Sequence, residues 1–550
     1  MPTLLVATIF MPLAGALFIG LVASRGRVAV RQSALVTALV TLGMTAVLLV
    51  NFAPGDSAFA QVDHAWLGES STIDIRFSVA LDGLSVWLFG LSALLLLTCI
   101  LVSWEAIVDR PGTYYSLLLL LGSGMLGVFA ARDIILFYIF FEFTLIPLFL
   151  LIGVWGSEDR RYAAVKFFVY TLAGSLLTFL GLLALVLWNY RHSDSGTMTF
   201  SIPALTAGLA MHKIPESYQL WIFLALFAGF AIKVPLVPLH TWLPLAHTQA
   251  PAAGSVLLAG ILLKIGSYGF ARFNIPMLPD ATAACLPYLL GLSVVGIIYG
   301  ALVALAQSDM KRLIAYSSVS HLGFCMLGLF ALTSLGVEGG VLQMINHGLS
   351  TGGLFALVGM VYDRYHTRQI HDLGGLARRL PLLAFFFVLF TLSSIGLPGL
   401  NGFAGEFLIL IGMFQRAFTE APPALIWTYR CMAVVSVFGV VLGAWYMLWL
   451  VQRVFFGPLK EGDPAANHDH VRDLKPREVA ALVPLVVFVF WIGLAPEFFL
   501  ERIRPALGPL TRAATEAVAE RQMPGRLANL TEGIAVAPSL DQQEDLPRVE

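Results

Sequence analysis

Charge is scarce in this 550-residue sequence. Only 12% of residues are Asp, Glu, Lys or Arg, and 33 basic side chains balance 34 acidic ones to a net charge of −1. That balance speaks against a nucleic-acid partner, which calls for a basic surface. Cysteine is scarcer. Cys99, Cys285, Cys325 and Cys431 lie far apart in apolar runs, with neither CxxC spacing nor a disulfide framework. Iron–sulfur and structural zinc sites are therefore not expected. No GxGxxG motif sits on a βαβ pattern, so no nucleotide site is expected either. What is abundant is apolar surface: 58% of residues are hydrophobic and the mean hydropathy is +0.82. No soluble domain needs so much, and the class is an all-α polytopic membrane protein.

A span needs about 20 apolar residues. Fourteen such runs read at about 4–23, 32–52, 83–104, 114–131, 134–154, 165–188, 220–243, 252–273, 285–306, 313–333, 341–362, 381–414, 430–452 and 479–497. The first has no basic flank and reads as a span, not a cleaved signal. Lys233 is followed by Pro235 and Pro238, each of which removes a backbone donor and blocks helix continuation, so helix 7 is discontinuous. Helix 12 is interrupted in the same way by Gly396-Leu397-Pro398-Gly399 and Asn401-Gly402. An odd number of spans separates equivalent positions, which suits two inverted five-helix repeats with broken helices at matching places. The expected division is 1–105, helices 1–3; 106–273, the first repeat; 274–453, the second, inverted repeat; 454–500, a loop and helix 14; and 501–550, a polar C-terminal tail, amphipathic from Pro505 and then polar, with Ala535 to Glu550 rich in Gln, Asp, Glu and Pro.

Alternate loops are rich in basic residues: Arg25, Arg27 and Arg31; Arg110; Arg160 and Arg161; Lys311 and Arg312; Arg364, Arg368, Arg378 and Arg379; Lys460, Arg472, Lys475 and Arg477. The opposite set is poorer and holds the acidic segment with Asp56, Asp63, Glu69 and Asp74. The basic side is the cytoplasmic one, and both termini are expected on the other.

Ionisable residues inside spans cost about 2.5–3.5 kcal/mol each on insertion scales and mark ion or proton paths. Glu142 stands nine residues into a span, with Lys233 as its natural counter-ion; separating such a pair lets the lysine release a proton. Lys264 is too central in its span to snorkel easily to an interface. Glu406 follows the break of helix 12 as Lys233 precedes that of helix 7. His321 and His347 suit a relay if water reaches them, although a buried histidine also serves as a plain core residue. No carboxylate or cysteine stands near them at a zinc-like spacing. His240 and His247 fit an interfacial structural role with Trp242 as well as proton entry. Asp133 reads as a helix cap, Lys166 as a positive-inside residue or a member of an entry path, and Asp309, Lys311 and Arg312 as a solvated turn. The expected path runs from one half-channel through Lys264 and the histidines to an exit near Glu406.

Six stretches carry a family resemblance: FYIFFEFTLIPLFLLIGVWG, RRYAAVKFFVYTLAGS, AIKVPLVPLHTWLPLAHTQAPAAGSVLLAGILLKIGSYGFARF, MKRLIAYSSVSHLGFCMLG, INHGLSTGGLFALVG and LPGLNGFAGEF. Over roughly residues 80–455 the chain resembles the antiporter-like membrane subunits of respiratory complex I, the NADH:quinone oxidoreductase, most closely the M-type. The resemblance implies fourteen helices, two inverted repeats, and proton pumping coupled to quinone reduction elsewhere in the complex. It assigns the channel glutamate to Glu142, the broken-helix lysine to Lys233, the central lysine to Lys264 and the terminal carboxylate to Glu406, where sister subunits have Lys. It places His321 and His347 on the central axis. Leu245 departs from the family, where many relatives have an acidic residue. No long amphipathic lateral helix is expected, which disfavours the L-type.

The resemblance further implies no cofactor in this chain; NADH, FMN, iron–sulfur clusters and quinone belong to partner subunits. The partners are L-type and N-type membrane neighbours, and the location is a bacterial inner membrane. The alternatives are a subunit of a multisubunit cation/proton antiporter or of a membrane-bound hydrogenase. A spacer that pumps nothing is disfavoured, since it would be more stable without mid-membrane charge.

Overall fold

The computed structural model describes residues 1–67, 72–193, 196–462 and 471–522. Glu69 and the terminal segment from Ala535 lie outside the described residues. Among the described residues, twelve helices are long and apolar enough to cross a membrane: Pro2–Arg25, Arg27–Asn51, Val86–Ala106, Pro111–Ala130, Ile134–Trp155, Arg160–His192, Ala252–Met277, Pro279–Leu305, Met310–Ala331, Ser334–Tyr365, Pro423–Phe455 and Pro476–Leu494. The fold is that of a multi-pass helical membrane protein. Ala252–Met277 and Ser334–Tyr365 are its most central helices, buried along nearly all of their length.

Two further apolar stretches are broken. The first runs as helix Glu216–Lys233, an irregular link, and helix Trp242–Gln249. The break falls where Pro235 and Pro238 withhold their N–H groups. The Trp242 indole reaches back across it and donates to the Ile232 carbonyl at 2.9 Å. The second runs as Pro381–Ser394 and Asn401–Phe418. Gly396 and Gly399 between them adopt φ of +73° and +90°, a region open to glycine and strained for other residues. A smaller interruption at Thr144 divides Ile134–Phe143 from Leu145–Trp155, just after Glu142. Pro147 accounts for it by leaving a carbonyl of the preceding turn without its donor.

The loops fall into two sets, each stitched together on its own side. On the basic side Arg31 donates to the Ile107 carbonyl at 3.1 Å, and the Trp155 indole to Asp109 at 2.9 Å. There too Arg364 grips Glu478 with two bonds of 3.1 and 2.7 Å. On the opposite side Arg132 donates to Ser57 at 2.6 Å and Arg272 pairs with Asp82 at 2.7 Å.

Two expectations need correction. The solvated turn at Asp309, Lys311 and Arg312 is not solvated at its first two residues, which are buried. Asp309 caps helix Met310–Ala331 by accepting from the backbone of Lys311 and Arg312. The segment expected as a polar tail from 501 begins inside an ordered helix, Glu497–Gln522. It is amphipathic and 26 residues long, so an amphipathic helix does follow the last span. Its Ile503, Leu507, Ala514 and Val518 are buried, and its Arg504 reaches the buried Glu338 at 3.2 Å. Outside the helices, the acidic segment after the second helix contributes a β-hairpin, Phe59–Leu67 against Ile73–Leu81. Arg76 pairs there with Asp63 at 2.8 Å across the two strands.

Candidate functional site

A polar axis runs through the buried centre of the molecule, from the first repeat into the second. It starts at Lys264, fully buried in helix Ala252–Met277 between two π-helical turns, Leu258–Leu262 and Phe270–Asn274. Such turns recur at functional sites because they re-aim side chains and loosen the hydrogen-bond ladder. The Lys264 ammonium donates to the Ala259 carbonyl within its own helix and to His347 Nδ1 at 2.6 Å. The approach is close because Gly348 packs against Gly260; a Cβ at 348 would stand 2.8 Å from the Gly260 carbonyl oxygen.

With Nδ1 of His347 accepting from lysine, its Nε2 carries the proton. That nitrogen is buried and has no partner among the described residues. His347 borders a small void of about 10 Å³, lined also by His321, Asn346, Ser350, Ser393 and Ser394 among others. The space is about that of one water and the lining is polar, as a buried water requires. Across it lies His321, whose ring centroid is 5.7 Å from that of His347. His321 Nε2 meets the Ser394 hydroxyl at 3.1 Å and the Tyr446 hydroxyl at 3.4 Å. Its Nδ1 meets Glu406 Oε1 at 3.1 Å, and Gln343 donates to the same oxygen at 3.1 Å.

The second broken helix is sewn to Ser334–Tyr365 by a network that sequence reasoning missed. Asn346 donates to the Asn401 carbonyl at 2.8 Å and Asn401 returns a bond to the Asn346 carbonyl at 3.2 Å. Ser350 and Ser393 share a bond of 2.6 Å, and Ser393 donates to Asn401 Oδ1 at 2.6 Å. The available signal was helical spacing: Gln343, Asn346, His347 and Ser350 fall on one stripe of a helix.

The first half is arranged differently. The Lys233 ammonium lies over the Phe141 ring, 4.7 Å from its centroid. Glu142 acts on it through space, but among the described residues the two do not form an ion pair of 4.0 Å or less. The expected counter-ion contact is replaced by a cation–π contact with the residue next to the glutamate. Glu142 is half-buried, beside the Tyr138 hydroxyl. The structure thus brings Lys264, His347, His321 and Glu406 together and leaves Lys233 and Glu142 as a separate, looser group. His240 packs edge-on against Tyr299, 5.2 Å between centroids. His247 is fully buried and stacks on Phe355 at 4.5 Å. No group of three or more His, Cys, Asp or Glu able to hold a metal occurs among the described residues.

Comparison with known proteins follows the same lines. Residues 131–444 match the family model described as NADH:quinone oxidoreductase/Mrp antiporter, transmembrane. The chain is 40% identical to NADH-quinone oxidoreductase subunit M of Rhodobacter capsulatus, over 93% of this chain and 97% of that one. It is 39% identical to NADH-ubiquinone oxidoreductase chain 4 of Chondrus crispus, over 91% and 96%. Its structure is similar to a chain of respiratory complex I from Thermus thermophilus with bound NADH, with a TM-score of 0.79, 32% identity, and coverage of 92% and 99%. A chain of the Mrp complex from Dietzia shares the fold, with a TM-score of 0.75 at 21% identity and coverage of 94% and 99%.

Proposed function

The chain belongs to the NADH:quinone oxidoreductase/Mrp antiporter membrane family, and from that premise we propose that its polar axis is the proton path of an NADH:quinone oxidoreductase membrane arm. The protein is a proton-translocating subunit of that arm, of the M type. One observation carries the assignment of residues: Lys264 bonds His347 at 2.6 Å, His321 bonds Glu406 at 3.1 Å, and only a water-sized polar void separates the two pairs.

The steps follow from the donors and acceptors. Lys264 as the ammonium gives a proton to His347 Nδ1 and becomes the amine. His347 releases the proton on its far nitrogen, Nε2, into the void. A water there passes a proton to His321 Nε2, beside Ser394. His321 then releases its Nδ1 proton to the Glu406 carboxylate. Each imidazole takes a proton on one nitrogen and loses one from the other, as a neutral ring between two partners can. Low surrounding polarity makes each charge costly unless paired, so a charge change elsewhere in the complex can drive the hop.

Lys233 and Glu142 form the corresponding switch of the first half. With the twelve spanning helices, the two broken elements make fourteen crossings in two inverted repeats, 106–273 and 274–453. The basic side is cytoplasmic, both termini lie on the other face, and the membrane is the bacterial inner membrane. L-type and N-type subunits are the neighbours. NADH, FMN, iron–sulfur clusters and quinone sit in partner chains.

Purification in mild detergent tests the assignment. A co-purifying flavin and iron–sulfur arm, with NADH:quinone turnover that acidifies one side of reconstituted vesicles, is expected. Nickel in place of flavin would mean a hydrogenase, and neither centre an antiporter.

A further inference from the structure

The side opposite the basic loops holds a cavity of about 430 Å³ that the proton path does not use. Its mouth lies among exposed residues: Ser57, Pro203 of helix Ile202–Met211, and Pro505 of helix Glu497–Gln522. That volume has room for on the order of ten waters, at about 30 Å³ each. Its inner lining includes Asp82, Phe129, Arg132, Tyr268 and Arg272. Tyr268 lies one turn after Lys264 on the same face of helix Ala252–Met277. The two stand only about 6 Å apart along the helix axis. A chain that gathers protons on this side needs a barrier at that point.

Rings and charge stand there. Tyr268 is buried, and Phe129 packs edge-on against it at 5.3 Å between centroids. The Arg272 guanidinium lies over the Tyr268 ring, 5.1 Å from its centroid, and Arg272 Nε donates to the Tyr268 hydroxyl at 3.1 Å. Arg272 also grips Asp82 with two contacts of 2.9 and 2.7 Å. Arg132 approaches the same carboxylate at 3.9 Å. Two guanidinium groups thus face one carboxylate, and the floor carries a charge of +1. The other charged residues lining the cavity, Asp56 and Arg502, cancel. One arginine suffices to neutralise Asp82. A second, mostly buried cation is costly where it has no carboxylate of its own, so its presence calls for a reason.

We propose that Arg132, Asp82 and Arg272 form a positively charged plug that stops protons from returning to Lys264 through this cavity. The proposal rests on the proton-path assignment above. Fixed arginine charge is a recognised means of excluding protons and cations from a wet pore. A hydronium entering the cavity meets net repulsion at the floor. The guanidinium groups accept no proton from it, and Asp82 is already paired with both. Arg132 and Arg272 thereby set the direction of flow without carrying a proton themselves.

The competing explanation is a plain salt bridge that ties helix Ala252–Met277 to the segment before Val86–Ala106. Counting charge separates the two. Arg132→Gln leaves the Arg272–Asp82 bridge in place and takes the floor to zero; Arg272→Gln also takes it to zero but breaks the bridge. Asp82→Asn breaks the bridge and raises the floor to +2, and Arg272→Gln combined with Asp82→Asn breaks it at an unchanged +1. Each variant complex, its assembly checked by native gel, is reconstituted into vesicles. An imposed pH gradient is then followed as it decays without NADH. The two zero-charge variants are expected to speed the decay by about tenfold, since one unit charge at this range changes a cation's local concentration by at least that much. They should also pump fewer protons per NADH. Asp82→Asn and the double variant are expected to hold the gradient as wild type does. Wild-type decay in Arg132→Gln and Arg272→Gln overturns the plug. So does decay that follows the bridge, slow in Arg132→Gln and fast in Asp82→Asn and the double variant. Adding Lys264→Ala to Arg132→Gln is expected to remove the extra leak; a leak that persists bypasses Lys264 and overturns the proposal as well. The underlying path fails on a separate reading, wild-type pumping by Lys264→Ala alone.

Discussion

His321 and Glu406 meet at 3.1 Å although 85 residues separate them, one near the middle of a continuous helix and the other just past a helix break. Both are nearly fully buried, and Gln343 completes the carboxylate's coordination at 3.1 Å. A carboxylate at this depth is tolerable because it is bonded on arrival and because the break places polar backbone around it.

Glu406→Gln keeps the size and one acceptor oxygen but removes the group that takes up a proton. The complex is expected to assemble, as judged by native gel. Coupled NADH:quinone turnover is expected to fall by about 10²-fold, the usual cost of losing a general acid–base group. Glu406→Asp should retain part of the rate. Full activity in the glutamine variant would make the residue a structural acceptor.

Asn401→Leu removes two donors and an acceptor from the network that binds the second break to helix Ser334–Tyr365. The Asn346 carbonyl and the Ser393 hydroxyl each lose one of their partners and keep Ser350. Each hydrogen bond so lost costs about 0.5–1.5 kcal/mol. A lower thermal midpoint of the purified complex is expected. Pumping should fall further than in a surface variant of equal stability, because its partners Asn346, Ser350 and Ser393 line the void between the histidines.

Much of this was readable in the sequence, and the limits have physical causes. The breaks were visible because Pro235, Pro238, Gly396 and Gly399 act on the backbone locally. Lys264, His321, His347 and Glu406 stood out because ionisable groups in apolar runs are expensive wherever they point. What a sequence does not carry is distance. It offered Glu142 as the partner of Lys233, and the structure puts Phe141 there. Lys311 was misplaced because a D-x-K-R turn reads as solvent; only tertiary packing against Ala250 buries it. The amphipathic character from Pro505 was legible, but not a continuous helix Glu497–Gln522, because Pro505 and Pro509 lie inside it. Asn346, Ser350, Ser393 and Asn401 are ordinary residue types whose weight comes from facing one another.

Arg364 and Glu478 form a bidentate pair with little exposure on either side, joining helix Ser334–Tyr365 to the last span. Removing one partner leaves an uncompensated buried charge, at a cost of about 3–5 kcal/mol. Arg364→Met is expected to lower the unfolding midpoint or the yield of assembled complex. Adding Glu478→Leu should recover most of the loss, since a well-packed apolar pair is about as stable as the ion pair it replaces. A double variant as damaged as the single one would rule out the stranded carboxylate as the cause.

The central claim is that Lys264 is a working proton site at the head of the axis. Its most direct test is proton pumping measured against NADH:quinone turnover in vesicles bearing Lys264→Ala, with assembly checked by native gel. An assembled complex that has lost pumping and coupled turnover is the predicted result. An assembled complex that pumps at the wild-type ratio and rate would contradict it, leaving the bond between Lys264 and His347 a feature of packing alone.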